Sequence, residues 1–218
     1  MRIVRWIPIT IVVLALVVTL VAAQRGGDVA AQRGGRGGGQ RGAISTMTLV
    51  TTAWPDGGQI PAVYTQSGSE KSPGVQWSGA PAGTQCFVLI FHDVDAATGN
   101  GSDDILHWLV WNIPGTATAI PPDQPDGFDL ANGLGKQISV SGSRYRGPGA
   151  PAAGPIHHYV MELYALDTLL QVEPAPQAPS GTPGAVNPGV ATRANVMQAM
   201  AGHVRGKAAY VGLFHRSQ

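Results

Sequence analysis

The sequence predicts a mainly β fold, an antiparallel sandwich or barrel, carried by residues 43–218. Short runs rich in Val, Ile, Leu, Thr and aromatic residues recur along the chain. Clusters of Gly, Pro and Asp separate them, as at Pro121–Gly127 and Gly147–Pro155. Helical periodicity is scarce, with one stretch near the C-terminus showing an apolar side at helical spacing.

The chain opens with Met1–Ala23. Arg2 and Arg5 precede an uncharged run, Trp6 to Ala23, built mostly from Ile, Val, Leu and Ala. Val21-Ala22-Ala23 supplies the small residues of a signal-peptidase site, with Gln24 as the new N-terminus. The run is long for a signal core and just long enough to span a bilayer, so a cleaved signal and a retained membrane anchor are both open. Either places the domain outside the cytoplasm, periplasmic or extracellular, the retained form being anchored to the inner membrane through residues 1–23. Gln24–Gly42 repeats Gln-Arg-Gly-Gly and holds almost no apolar side chain, which reads as a disordered basic tether.

Residues 1–42 contain six arginines and one acidic residue. The whole chain carries +1, so the remaining 176 residues carry −4. A mildly acidic domain argues against a nucleic-acid partner, and its length suits one domain with its own core.

Ser45–Thr52 is rich in Thr, Val and Leu and reads as a strand. Cys86–Phe91 is continuously apolar, as a strand buried on both faces requires. Cys86, the single cysteine, forms no disulfide within a monomer and reads as a small buried hydrophobe. Leu106–Ile113 is a further strand, stopped by Pro114. In Val160–Leu166 and the residues before it, Tyr159, Met161, Leu163 and Ala165 share one face. Pro174–Gly189 reads as a long surface connection. A helix is expected after Thr192 as N-cap, with Val196, Met197, Ala199 and Met200 on its apolar side and its end near Gly202. Lys207–Phe214 is the last strand.

Four of the six histidines fall in two blocks beside these strands: His92 and His107 in the first, His157 and His158 in the second. Asp93 and Asp95 end a buried strand and, at period two, point to one side. Two such carboxylates each need a cation, a metal or donors; an Asp-rich turn capping its own backbone is the simpler reading. His107 alone reads as a hydrogen-bonded core residue beside Trp108. His157 and Tyr159 share a face, and His158 points the other way. Gly147-Pro-Gly-Ala-Pro151 is a restrained loop whose N–H groups are able to line an anion. A metal site would need His92, Asp93, His107 and His157 together, yet His92 and Asp93 are adjacent and should face opposite sides. No metal and no cofactor are therefore expected.

Together these blocks resemble the phosphatidylethanolamine-binding protein family, specifically its bacterial Raf-kinase-inhibitor-like branch. The family's Asp-Pro-Asp-Ala-Pro motif is similar to Asp93-Val-Asp-Ala-Ala97, and its His-Trp strand reaching an Asn is similar to His107-Trp-Leu-Val-Trp-Asn112. Its Gly-x-x-x-Pro-x-x-x-x-x-His-Arg-Tyr motif is similar to Gly147 through Tyr159. Ser72-Pro-Gly-Val-Gln-Trp77 matches the segment that precedes them, and Ala191–Asn195 with Gly202-His203 resembles the C-terminal helix region. The resemblance implies an antiparallel Greek-key two-sheet sandwich with one or two short helices near the C-terminus. It also implies a cavity lined by Asp93, His107, Pro151, His157 and Tyr159. Asp95, Trp108 and Gly147 stand behind them, with Asp95 structural or at the rim. Val94, Ala97 and His158 depart from the family pattern, and Asp103 and Asp104 in the segment Thr98–Asp104 are expected to put negative charge near the mouth.

The implied function is binding of a small anionic or phosphoryl head group by a monomer or homodimer, with a kinase or protease as protein partner through other surfaces. An acid/base or metal-assisted hydrolase using the Asp/His cavity is the alternative. No Ser or Cys is placed as a nucleophile, so no catalytic residue is assigned. If histidines supply the cation, anion affinity should rise as pH falls toward about 6. Deleting residues 24–42 is expected to leave the thermal midpoint unchanged, because the segment has nothing to bury; a drop of several degrees by scanning calorimetry would contradict this.

Overall fold

A computed structural model describes residues 43–99 and 101–217. The expected export segment and tether lie outside them. The strands, in chain order, are β1 (Ser45–Thr46), β2 (Thr48–Thr51), β3 (Gly58–Gln59), β4 (Val75–Ser78), β5 (Cys86–Thr98) and β6 (Asp103–Pro114). They continue with β7 (Ala119–Ile120), β8 (Lys136–Ile138), β9 (His157–Leu166) and β10 (Val204–Phe214), and α1 (Pro188–Met200) precedes β10.

The large sheet runs β1-β10-β9-β5-β6-β8, and β2-β4-β7 form the small one. β5, β6 and β8 follow one another antiparallel, and β9 returns to lie beside β5, the Greek-key order. The antiparallel two-sheet sandwich is thus observed. The two-residue pieces β1 and β3 add to it by pairing parallel to β10.

Continuous apolarity in β5 follows from its place between two cores. Phe87, Leu89 and Phe91 enter the layer between the sheets, where they meet Leu49, Trp77 and Met161. Cys86, Val88 and Ile90 enter a second layer under α1 with Leu109, Trp111, Val196 and Met200. In β9, Tyr159, Met161, Leu163 and Ala165 all face the inter-sheet layer, as their alternation requires. Cys86 is buried and free, and burial pushes its thiol up to about 11.

The outer side of β10 is largely occupied. Lys207 and Val211 carbonyls accept from Met47 and Gly57 N–H, Leu213 carbonyl accepts from Ile60 N–H, and Val211 N–H donates to the Asp56 carboxylate at 2.8 Å. Indole Nε1–H of Trp54 also reaches the Val211 carbonyl.

α1 begins earlier than the sequence suggested. Its N-cap is Asn187, whose Oδ1 accepts from Gly189 and Val190 N–H, with Pro188 in the first turn. Thr192, expected as the cap, is buried within the helix. Its hydroxyl donates to the Pro188 carbonyl and accepts from Ala175 N–H, which pins the Pro-rich connection to the helix. The strand ends also move outward: β5 continues to Thr98 and β6 starts at Asp103, and these two residues pair antiparallel. Asn187→Ala is expected to destabilise the fold by about 1 kcal/mol and to speed amide exchange in the first turn of α1, measured by urea unfolding and hydrogen exchange.

Candidate ligand cavity

Where β5, β6 and β9 end on the same side of the sheet, the loop 146–151 closes over a cavity of about 130 Å³. Asp93, His107, Pro151, His157 and Tyr159 all line it, together with Gln66, Ile105 and Arg146. Larger depressions, about 320 and 300 Å³, flank α1. They do not gather these groups, and the chemistry locates the candidate site in the smaller cavity.

Asp93 is buried at 3% exposure. Its Oδ1 accepts from Asp95 and Ala96 N–H at 3.1 Å, and its Oδ2 lies 2.8 Å from His157 Nδ1. It therefore caps its own turn and holds an imidazole as well; both readings of the doublet describe one residue. The β5–β6 ladder breaks here, with Asp93 opposite Ile105 and the next pair at Thr98 and Asp103.

His107 owes its place to a second irregularity. Phe91 pairs with Trp108 and His92 with Leu106, so His107 is the extra residue of a β-bulge. The bulge turns His107 and Trp108 to the same side, against plain alternation. His107 Nδ1 donates to the Arg146 carbonyl at 2.9 Å, and the His107 carbonyl accepts from Arg146 N–H. A carbonyl only accepts, so Nδ1 carries the proton and Nε2 keeps its lone pair. Burial pushes the His107 pKa down to about 4. At pH 6 this residue is neutral, which corrects the expectation that it supplies a cation there.

Tyr159 stacks its ring edge on His107, with centroids 5.1 Å apart. Its hydroxyl accepts from Gly149 and Ala150 N–H at 3.2 and 3.0 Å. Burial, and then the facing Asp93 carboxylate, hold its pKa well above the ordinary tyrosine value. The loop N–H groups expected to line an anion are thus taken by Tyr159, and Gly147 N–H is taken by Glu70 Oε1. A Cβ on Gly147 would lie 2.7 Å from the Thr65 backbone, so close approach explains that glycine.

Of the residues placed behind the cavity, Asp95 is exposed and outside its lining, and its Oδ2 accepts from His158 N–H and Nδ1. Those bonds, the backbone one foremost, lower its pKa. Trp108 is in the core, donating to Gln137 Oε1. Asp103 and Asp104 do not reach the mouth. They line the depression beside α1, where Asp104 pairs with Arg193 and with His92. His92 faces that side, away from Asp93, between Asp104 and Glu162. Arg146 and Gln66 escaped the sequence reading; the basic residue directly before Gly147 was the available signal for Arg146.

The family model of phosphatidylethanolamine-binding proteins matches residues 50–215. A UPF0098 protein of Methanothermobacter thermautotrophicus is 36% identical over 171 residues, 78% of this chain and 99% of that protein. A Mycobacterium tuberculosis protein named "Putative lipoprotein LppC" is 31% identical over 175 residues, covering 79% of this chain and 74% of its own. Among solved structures, Escherichia coli YbcL, described as a member of the mammalian family, superposes with a TM-score of 0.60. It is 25% identical, over 78% of this chain and 99% of that one. A homologue from Chlamydia trachomatis at 24% identity has the same fold, with a TM-score of 0.61 over 79% of this chain and 99% of that one. The chain belongs to the phosphatidylethanolamine-binding protein family.

The His107 shift has a stability consequence. Its folded pKa is depressed below the ordinary 6.5, so its contribution is complete above that value and is lost as pH falls toward about 4. Below 6.5 the unfolded chain takes up a proton that the fold refuses. His107→Asn is expected to flatten the loss of stability between pH 6.5 and 4.5, by an amount on the order of 2 kcal/mol, in urea midpoints taken at both pH values.

Proposed function

We propose that this member of the phosphatidylethanolamine-binding protein family binds a small phosphoryl or other oxyanion head group in the cavity beside Pro151, without turning it over. The observation that carries the reading is the state of the cavity's hydroxyl. Tyr159 is held by two backbone N–H groups and faces a carboxylate, so it is a strut rather than a nucleophile. The lining residues include no Ser, Thr or Cys. Asp93 accepts from His157 Nδ1–H, which leaves Nε2 of that ring toward the ligand, accepting from a ligand O–H when the ring is uncharged and donating to an oxygen only when it is protonated. The volume supports a head group alone, the rest of the molecule remaining outside.

The Asp93–His157 pair also has the geometry of a base with its orienting carboxylate, which keeps hydrolysis as the second reading. Export is part of the proposal. The positive, apolar Met1–Ala23 segment supports it, and so does the name of the mycobacterial relative as a lipoprotein.

Calorimetric titration with phosphate and phosphoethanolamine, beside a phosphate-ester and peptide hydrolysis assay, tests the reading. Binding without turnover is expected, and His157→Ala should weaken it by about fivefold. Hydrolysis that disappears in His157→Ala or Asp93→Asn would replace binding by catalysis.

A further inference from the structure

The cavity has fewer anion donors than its loop suggests. The N–H groups of Gly147, Gly149 and Ala150 are spent inside the protein. His107 shows a lone pair. What remains is a guanidinium. Arg146 lines the cavity and donates to Ser141 Oγ and, at 3.5 Å, to Gln66 Oε1. Its Nε–H is shut away from solvent and has no partner. Two of its five N–H donors are thus committed, and the other three, Nε–H among them, have no partner among the described residues.

A second cation, exposed and just outside the lining of the cavity, meets it at Gln66. Arg216 Nη2 reaches the same Gln66 Oε1 at 3.4 Å, and its backbone N–H donates to the Ala150 carbonyl. Gln66 Nε2 donates to the Gly147 carbonyl at 2.8 Å, which fixes the amide with its oxygen toward the two guanidinium groups. Among the described residues no carboxylate lies within 4.0 Å of either, whereas Arg193 and Arg205 are paired with Asp104 and Asp167. Two like charges sharing one neutral oxygen repel, and an oxyanion between them relieves this while accepting the idle N–H groups. The other charged or titratable groups facing this corner are Asp93 from β5, His107 from β6, His157 and Tyr159 from β9, and Glu70 beyond Gly147.

We infer that Arg146 and Arg216, gathered on Gln66, form the anion subsite of this cavity. They seat a dianionic oxyanion, such as a phosphomonoester or sulfate, by guanidinium rather than by protonated histidine. The inference rests on the reading that the cavity takes an oxyanion head group. A volume of about 130 Å³ matches roughly four waters, enough for one tetrahedral oxyanion. Because arginine stays charged across the working range, affinity for an anion of constant charge does not follow histidine titration.

Sulfate keeps two charges from pH 6 to 8 and is the probe, with phosphate and methyl phosphate beside it to separate free from esterified anion. Calorimetry on the full-length protein should give a sulfate affinity that changes less than about threefold over that range. Arg146→Gln should lower it about tenfold or more at both pH values. Arg146→Lys should restore part of the loss, and the more exposed Arg216→Gln should cost about threefold. Thermal melts show which variants are folded, and Arg216→Gln keeps the test open if Arg146→Gln is not. Wild-type affinity that climbs more than about tenfold on acidification, vanishes in His157→Gln and ignores both arginine changes would overturn the inference and leave the oxyanion reading standing. Absence of binding by all three anions at about 10 mM would overturn the oxyanion reading and the inference together.

Discussion

A carboxylate out of water has to be compensated, and Asp93 is where this fold meets that demand. An ionised side chain in the interior costs several kcal/mol unless donors surround it. Asp93 collects two N–H groups from the broken end of β5 and an imidazole from the start of β9. The same carboxylate faces the Tyr159 hydroxyl, which holds the loop at Gly149 and Ala150. Turn, strand pairing and loop closure therefore share one anchor, and His107 packs edge-on against its Tyr159 arm.

One step back along β5 the pattern repeats with opposite orientation. His92 is buried on the α1 side between Asp104 and Glu162, and those bonds outweigh burial to raise its pKa. Arg193 of α1 closes on Asp104, and Lys207 of β10 closes on Glu162 at 2.6 Å. The Glu162 carboxyl is held down to about 2, chiefly by His92. Adjacent residues of one strand thus serve separate electrostatic systems: one lines the cavity, and the other ties helix to sheet.

Much of this was legible from residue pattern. The all-apolar run at Cys86–Phe91 announced a strand with two buried faces, and period two put His157 with Tyr159. The convergence of Asp93, His107, Pro151, His157 and Tyr159 came from motif order instead, because no local rule links positions so far apart in the chain. What stayed hidden was geometric. A bulge has no fixed residue code, so nothing in Leu106-His107-Trp108 revealed that His107 and Trp108 would share a side. The loop's N–H groups were visible, but their capture by Tyr159 needed three-dimensional contact. The start of α1 did carry a signal, Asn187 before Pro188, masked by the Pro/Gly-rich stretch around it.

The cover on β10 bears on how such a protein behaves when crowded. An open strand edge is a template on which another chain adds by backbone pairing, the first step of β-aggregation. Here β1 and β3 occupy the two ends of that edge, and the Asp56 carboxylate takes the Val211 N–H between them. Little uninterrupted backbone remains for a foreign strand to read, and the carboxylate puts a charge in its path. The far edge, β8, pairs along only three residues and is too short to serve as a template. Resistance to edge-wise polymerisation is thus built from a few residues at the start of the domain. Trimming the chain past Ser45 would uncover part of that edge.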